Sequence, residues 1–255
     1  MKTAVGLLTL LCLLGAFSSG EAEARNATRS EAVRYPSGDE TVEGYLVAPT
    51  GAGPFPAVVV IHEWWGLNSQ IKAQAERLAA EGYVALAVDL YRGRVTADSG
   101  EAHELMRGLP EDRARRDLLA AFDYLANRPD VRSDRIASIG WCMGGGYSLV
   151  LALAQPRLAA SVIYYGRLVS DESSLQQIRA PVLGLFGEND RGIPVRSVRA
   201  FERALRRLGK SIEVHIYPGA GHAFANPTRP SYRAAAARDA REKTQAFFAR
   251  HLKGR

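Results

Sequence analysis

The sequence predicts a single α/β domain with a mostly parallel central sheet and helices on both faces. Short apolar runs, typical of buried strands, alternate with longer amphipathic runs, typical of helices. This alternation is the pattern of parallel sheets, because helices connect their strands and cover both faces. The chain has 255 residues, of which 47% are hydrophobic, enough for one sizeable core, and no repeat or low-complexity linker divides it.

The first 24 residues have the composition of a secretory signal peptide. Lys2 precedes an apolar run at 4–17 that is too short to span a bilayer comfortably, and residues 22–24 (AEA) form a small-residue cleavage site. We therefore predict a signal peptide at 1–24 and a folded domain at 25–255, with an uncleaved anchor as the alternative. A periplasmic or secreted protein is the expected consequence.

Each element of the predicted domain follows from its local pattern. Short apolar runs bounded by polar residues predict strands, and apolar residues recurring every three to four positions predict helices. The strands are expected at 42–49 (an edge strand), 56–62, 83–91, 134–140, 158–166, 180–187 and 211–219. The helices are expected at 68–82, 110–129, 143–154, 195–209 and 232–252. Residues 92–110 are the least regular and predict a loop or short helix over the site.

The segment "IGWCMGGG" at 139–146 lies between a predicted strand and a predicted helix. Residues 140–144 read G-x-C-x-G, the cysteine form of the sharp strand-to-helix turn that carries a nucleophile. Removal of the leader also removes Cys12, so that an exported chain would keep only the free thiol of Cys142. The alternative is that Cys142 is only a small, buried residue of the core.

Candidate catalytic side chains follow four predicted strands: Glu63, Cys142, Asp190 and His222. Ligands of open parallel sheets bind beyond these strand ends. The order nucleophile, acid, histidine is that of α/β-hydrolases. In such a triad the thiolate attacks, the imidazole moves its proton and the carboxylate orients the imidazole. A turn role for Asp190 and a structural role for His222 are the alternatives.

Glu63 ends a buried strand, where an unpaired carboxylate is costly, so it should have a partner or a function. The backbone N–H groups of Trp64 and Met143 are candidates for an oxyanion hole, which uses the amide after the nucleophile and one from this early loop. Trp64 is equally interpretable as a core or pocket-wall aromatic residue.

Six segments together resemble the dienelactone hydrolase family of α/β-hydrolases, from about residue 42 to residue 252. They are "HEWWGLN", "DLYRGR", "GWCMGGG", "YYG", "GENDRGIP" and "YPGAGHAFAN". The resemblance implies a single-domain α/β-hydrolase fold and a triad of Cys142, His222 and Asp190. It also implies that Glu63 interacts with the thiol and helps generate the thiolate when substrate binds, and that no metal or organic cofactor takes part.

The resemblance also predicts the substrate-binding residues. Family members specific for dienelactone hold the substrate carboxylate with two arginines. At the first position this chain has Gly93 flanked by Arg92 and Arg94, and at the second it has Asn226. We predict that these two arginines, Asn226 and Tyr165 of the "YYG" segment bind substrate, while the exact substrate stays open.

The leading functional hypothesis is hydrolysis of an enol-lactone or activated carboxylic ester through a thioester. A broad-specificity exported carboxylesterase and a non-catalytic exported binding protein are the alternatives. The net charge is +6, but the arginines are spread along helix faces without interleaved aromatics, which argues against a nucleic-acid partner. We expect a monomer with a small-molecule substrate and no membrane span after leader removal.

Overall fold

The computed structural model describes residues 27–254, so the predicted signal peptide at 1–24 lies outside the described residues. The strands of this part of the chain are β1 (Thr28–Ser37), β2 (Glu40–Pro49), β3 (Phe55–Ile61), β4 (Val84–Val88), β5 (Val131–Trp141), β6 (Ala160–Tyr164), β7 (Val182–Gly187) and β8 (Ile212–Tyr217). The helices are α1 (Ser69–Ala80), α2 (Ser99–Arg107), α3 (Glu111–Ala126), α4 (Met143–Ala154), α5 (Glu172–Leu175), α6 (Val195–Arg207) and α7 (Ala234–Leu252).

The strands form one sheet in the order β1-β2-β4-β3-β5-β6-β7-β8. β2 pairs antiparallel with both β1 and β4, and the remaining neighbours are parallel. The prediction that 42–49 is an edge strand is wrong, because β1 covers β2 along its whole length. β1 was not predicted because it is largely polar, with only alternate residues of its second half buried.

Helices cover both faces of the sheet, as the sequence predicts. Alternate β3 residues point to opposite faces. Val58 and Val60 join a core with α1 and α7, whereas Val59 and Ile61 join a second core with α3. A third cluster packs α6 against β6 and β7. Among residues 27–254, no helix is long and apolar enough to cross a membrane.

The parallel register brings the carboxyl ends of the central strands to one edge of the sheet. Ile61 of β3 pairs with Gly140 of β5, and Trp141 pairs with Tyr164 of β6. The residues that immediately follow these three strands therefore lie beside one another. Residues 92–110, expected to be a loop or short helix, contain α2, whose first turn is capped by the Asp98 side chain.

Candidate active site

Cys142 occupies the sharp turn between β5 and α4. Its backbone has φ 55° and ψ −118°, in the positive-φ region that residues with a Cβ rarely adopt. The turn is held from both sides, because the Cys142 N–H donates to the Tyr164 carbonyl at 3.0 Å and its own carbonyl accepts from Gly146. The free thiol is partly buried rather than enclosed in the core. The strained turn thus presents the sulfur at the rim of the sheet.

Glycine is required on both sides of this turn. A Cβ at Gly140 would lie 2.0 Å from the Gly144 carbonyl oxygen, so that β5 could not pass so close to α4. A Cβ at Gly144 would lie 2.3 Å from the Ile61 carbonyl oxygen at the end of β3. Real Cβ atoms do not approach backbone this closely, which explains the G-x-C-x-G spacing.

His222 and Asp190 meet at this edge although they follow different strands. The His222 Nδ1 and the Asp190 Oδ2 are 2.7 Å apart. The other oxygen of Asp190 accepts the N–H groups of Gly192 at 2.8 Å and Ile193 at 3.0 Å. These bonds orient the buried carboxylate toward the imidazole. Asp190 therefore holds His222 with Nδ1 inward and leaves Nε2 for another partner.

The electrostatics connect His222 to Cys142 as well as to Asp190. Burial acts to lower the pKa of His222, but hydrogen bonds with Asp190 and Cys142, together with their negative charges, raise it to about 10. Burial acts to raise the pKa of Asp190, but the bond and charge of His222 and the two backbone N–H groups hold it below its usual value. A protonated imidazole beside a thiol is the arrangement that favours an anionic sulfur nucleophile.

These shifts predict how stability depends on pH. The pKa of His222 in the folded state lies above its unfolded value. The protonated His222 therefore stabilises the folded state fully below about pH 6.5, and this contribution is lost as the pH rises toward 10. We expect the difference in free energy of unfolding between wild type and His222→Gln to shrink from pH 6 to pH 10. Urea unfolding at several pH values measures it. The exposed His103→Gln is the control, and a difference that stays constant would contradict this assignment.

Glu63 lies in the same cluster and is almost fully buried, with 2% exposure. Its Oε2 accepts a hydrogen bond from Asn226 Nδ2, and its Oε1 has no hydrogen-bond partner among the described residues. Burial raises the pKa of Glu63, against the opposing effects of the Asn226 bond and of the positive charges of His222 and Arg229. The site thus contains a buried carboxyl group with one oxygen uncommitted beside the histidine.

Asn226 has a different place from the one expected. It is 1% exposed, and its Oδ1 accepts both the N–H and the hydroxyl of Thr228, at 2.9 and 2.7 Å. The amide is thereby oriented with its NH₂ group toward Glu63. Asn226 consequently positions Glu63 and is not free to bind substrate. Thr228 was not predicted, because nothing in its local sequence distinguishes it from an ordinary loop residue.

Tyr165 forms one wall of the cluster. Its ring packs edge-on against His222, with centroids 5.2 Å apart, and against Phe224. Burial raises the pKa of Tyr165, and the negative charges of Glu63 and Cys142 raise it further. The hydroxyl therefore stays protonated near both groups, which agrees with a place in the site.

Arg229 is a second residue that the sequence did not suggest. Its guanidinium carbon lies 3.5 Å from the centroid of the Trp65 ring, and its positive charge acts on Glu63. Trp64 in turn packs edge-on against Trp65, with centroids 4.9 Å apart. In the sequence, Arg229 is one arginine in the loop after His222, and nothing else in that loop indicated its place in the site. The two aromatic rings and Arg229 form the wall next to Glu63.

The predicted oxyanion-hole amides belong to adjoining segments. Met143 begins α4, and the N–H groups of the first turn of a helix have no acceptor within that helix. The segment before Trp64 is in close contact with this turn, since a Cβ at Gly144 would also lie 2.5 Å from the His62 carbonyl oxygen. The role of the two amides stays a prediction.

Arg92 and Arg94 have internal partners. Arg92 bridges Glu40 at 2.7 Å and the buried Asp117 at 2.8 Å, and therefore joins the β1–β2 hairpin to α3. Arg94 is exposed and pairs with Glu101 of α2 at 2.9 Å. Both guanidinium groups, expected to bind substrate, are therefore paired with carboxylates of this chain. No group of three or more metal-ligating side chains occurs in the part of the chain described.

This constellation suits acyl transfer. A thiol on a strained turn, a histidine whose pKa that thiol raises, a carboxylate behind the histidine and amide groups beside the thiol are the components that such chemistry needs. Cys142, His222 and Asp190 come from three strand ends, and Glu63 comes from a fourth. The tertiary structure thus brings together all four candidate catalytic residues expected from the sequence.

Comparison with known proteins agrees with this geometry. A relative from Methylorubrum extorquens named "Putative carboxymethylenebutenolidase" is 35% identical over 230 residues, which cover 85% of this chain and 79% of the relative. A relative from Bradyrhizobium sp named "Probable 2-oxo-3-(5-oxofuran-2-ylidene)propanoate lactonase" is 35% identical over 83% of this chain and 90% of its own.

Solved structures and a family model point the same way. The crystal structure titled "Putative Dienelactone Hydrolase" from Klebsiella pneumoniae superimposes with a TM-score of 0.81 at 33% identity and covers 88% of this chain and 99% of its own. The model of the dienelactone hydrolase family matches residues 42–252. The chain therefore belongs to the dienelactone hydrolase family and is a hydrolase with the α/β-hydrolase fold.

Proposed function

We propose that this hydrolase cleaves an enol-lactone or an activated carboxylic ester through Cys142, His222 and Asp190, with a thioester intermediate. The observation that carries the proposal is the continuous link from Asp190 through His222 to a half-buried thiol on a strained turn. The names of the relatives support a lactone substrate, since both describe the opening of a lactone that bears a carboxylate.

The reaction proceeds in two halves. The Cys142 sulfur, its proton held by His222, attacks the acyl carbon, and the backbone N–H groups of Trp64 and Met143 receive the developing oxyanion. The carbon–oxygen bond of the ester breaks, and His222 returns the proton to the leaving oxygen. Water then loses a proton to His222 and attacks the thioester. The carbon–sulfur bond breaks, the acid is released and Cys142 is regenerated.

Glu63 and Asn226 support the first half of this reaction. Asn226 fixes one oxygen of Glu63, and the other oxygen is buried without a partner. We assign to Glu63 the role of an acid–base neighbour that interacts with the Cys142 thiol and helps generate the thiolate when substrate binds. The buried position supports this role, because burial raises the pKa of Glu63 and so makes its carboxylate a stronger proton acceptor.

A broader ester specificity is the second candidate. It is favoured by the ion pairs of Arg92 with Glu40 and Asp117 and of Arg94 with Glu101. At the second position Asn226 stands in place of an arginine and is hydrogen-bonded to Glu63. A structure titled "Dienelactone Hydrolase-like Promiscuous Phospotriesterase P91" superimposes with a TM-score of 0.82 at 28% identity. Comparing rates on a carboxylate-bearing lactone and on its neutral methyl ester separates the two candidates.

We expect turnover of an aryl ester to exceed that of the matched anilide by about a hundredfold or more. After the thiolate attacks an amide, the tetrahedral intermediate loses the thiolate again more readily than the amide nitrogen, which is a poor leaving group. Initial rates on 4-nitrophenyl acetate and 4-nitroacetanilide measure the preference. Electrospray mass of the intact protein, after brief exposure to a slow ester, should show an acyl adduct on Cys142. Faster anilide turnover, or no adduct, would count against a thioester route.

Export to the periplasm or the medium is also our proposal. It is supported by the apolar run at 4–17 and the A-x-A cleavage form at 22–24. The intact mass of the protein from a bacterial periplasmic extract tests it. A mass lacking residues 1–24 is expected, and a full-length mass would contradict cleavage at this site.

A further inference from the structure

A cavity of about 510 Å³ lies between α1 and α7, on the face of the sheet that these helices cover. Its volume is in the range of small-molecule binding sites. Cys142, His222 and Glu63 are not among the residues that line it, so the cavity is separate from the catalytic cluster. The mechanism proposed above makes no use of it.

The rim of this cavity is strongly basic. Arg77 of α1 and Arg238 and Arg241 of α7 line it together with one carboxylate, that of Glu81. Glu81 is already engaged, because its side chain accepts a hydrogen bond from Gln245. Within residues 27–254, none of the three arginines forms an ion pair. Three arginines against one carboxylate leave the lining with a net positive charge, which attracts an anion.

The inner wall of the cavity is aromatic and apolar. Trp141 and Tyr164 lie side by side there, with ring centroids 5.4 Å apart, and Leu78 and Ile139 adjoin them. The Tyr164 hydroxyl is hydrogen-bonded to Thr244 at 2.8 Å. Burial raises the pKa of Tyr164, the Thr244 bond and the positive charge of Arg241 oppose that rise, and the negative charge of Glu81 adds to it. The charged residues of the rim therefore act on the inner wall.

We infer that this cavity is a second binding site, for a small aromatic anion such as an aryl carboxylate. The carboxylate binds at the arginines, which offer paired N–H donors that match its two oxygens. The ring system occupies the space beside Trp141 and Tyr164. A simple inorganic anion would satisfy only the rim, and a neutral aromatic compound would satisfy only the wall.

The test uses 2-naphthoate as the probe in isothermal titration calorimetry on the full protein. We expect Arg238→Gln/Arg241→Gln to raise its Kd by about tenfold or more, since hydrogen bonds to a charged group are lost. Arg203→Gln, at an exposed arginine of α6, is the matched control and should leave the Kd unchanged. Unaltered ester hydrolysis in the double variant verifies that it is folded.

Two further arms separate the cavity from the catalytic centre and test the charge requirement. Protein carbamidomethylated on Cys142 should bind 2-naphthoate as tightly as unmodified protein, and 2-naphthamide should bind at least tenfold more weakly. The inference is overturned if the double variant retains the wild-type Kd, if alkylation of Cys142 abolishes binding, or if the neutral amide binds equally well.

Discussion

Replacing Cys142 by alanine is expected to lower kcat/KM for aryl ester hydrolysis by about 10⁴-fold or more, because no other nucleophile remains at the turn. The loss should appear in kcat, since the thiol acts in bond making and the surrounding pocket still binds substrate. Steady-state rates on 4-nitrophenyl acetate measure it. The same variant should give no acyl adduct in intact-mass measurements.

The control for this experiment is stability. Cys142 is only partly buried and alanine removes a single heavy atom, so we expect urea midpoints of the variant and wild type to be close. Alanine and cysteine both carry a Cβ, so the positive φ is equally strained for both and the substitution adds no new backbone strain. An alanine variant that is folded and hydrolyses the ester at the wild-type rate would refute catalysis at Cys142.

The largest effect on stability is expected for Gly144→Ala, at about 3 kcal/mol of unfolding free energy. The added Cβ would lie 2.3 Å from the Ile61 carbonyl oxygen and 2.5 Å from that of His62. Both are backbone atoms of β3 and the loop after it, so relief requires α4 to move away from the sheet. Urea unfolding of the purified variant measures the change.

Gly146→Ala provides a matched control on the same helix. Its Cβ would lie 3.5 Å from Arg167, an ordinary contact, and alanine favours the helical conformation over glycine. We expect a change of less than about 1 kcal/mol, in the stabilising direction. Equal destabilisation by both substitutions would show that helix α4 is generally intolerant and that the close approach to Ile61 has no special cost.

Much of the architecture is predictable because its signals are local. Buried strands are short apolar runs and the helices between them are amphipathic, so β2 to β8 and five helices could be placed from their local pattern. β1 could not be predicted because its first five residues are exposed and because the strand is defined by its pairing with β2 in the folded sheet. The four-residue α5 is too short to produce a periodic signal.

By itself, the sequence determined the fold class, the family and the order of Cys142, Asp190 and His222, because strand ends and glycine spacing can be recognised from residues that are adjacent in the sequence. The tertiary structure alone decided what Glu63, Asn226 and Arg92 contact. Glu63 and Asn226 are 163 positions apart, and Arg92 is 52 positions from Glu40. The physical reason is that an ion pair or buried hydrogen bond forms between groups the fold brings together, and neither residue type nor local pattern specifies its partner.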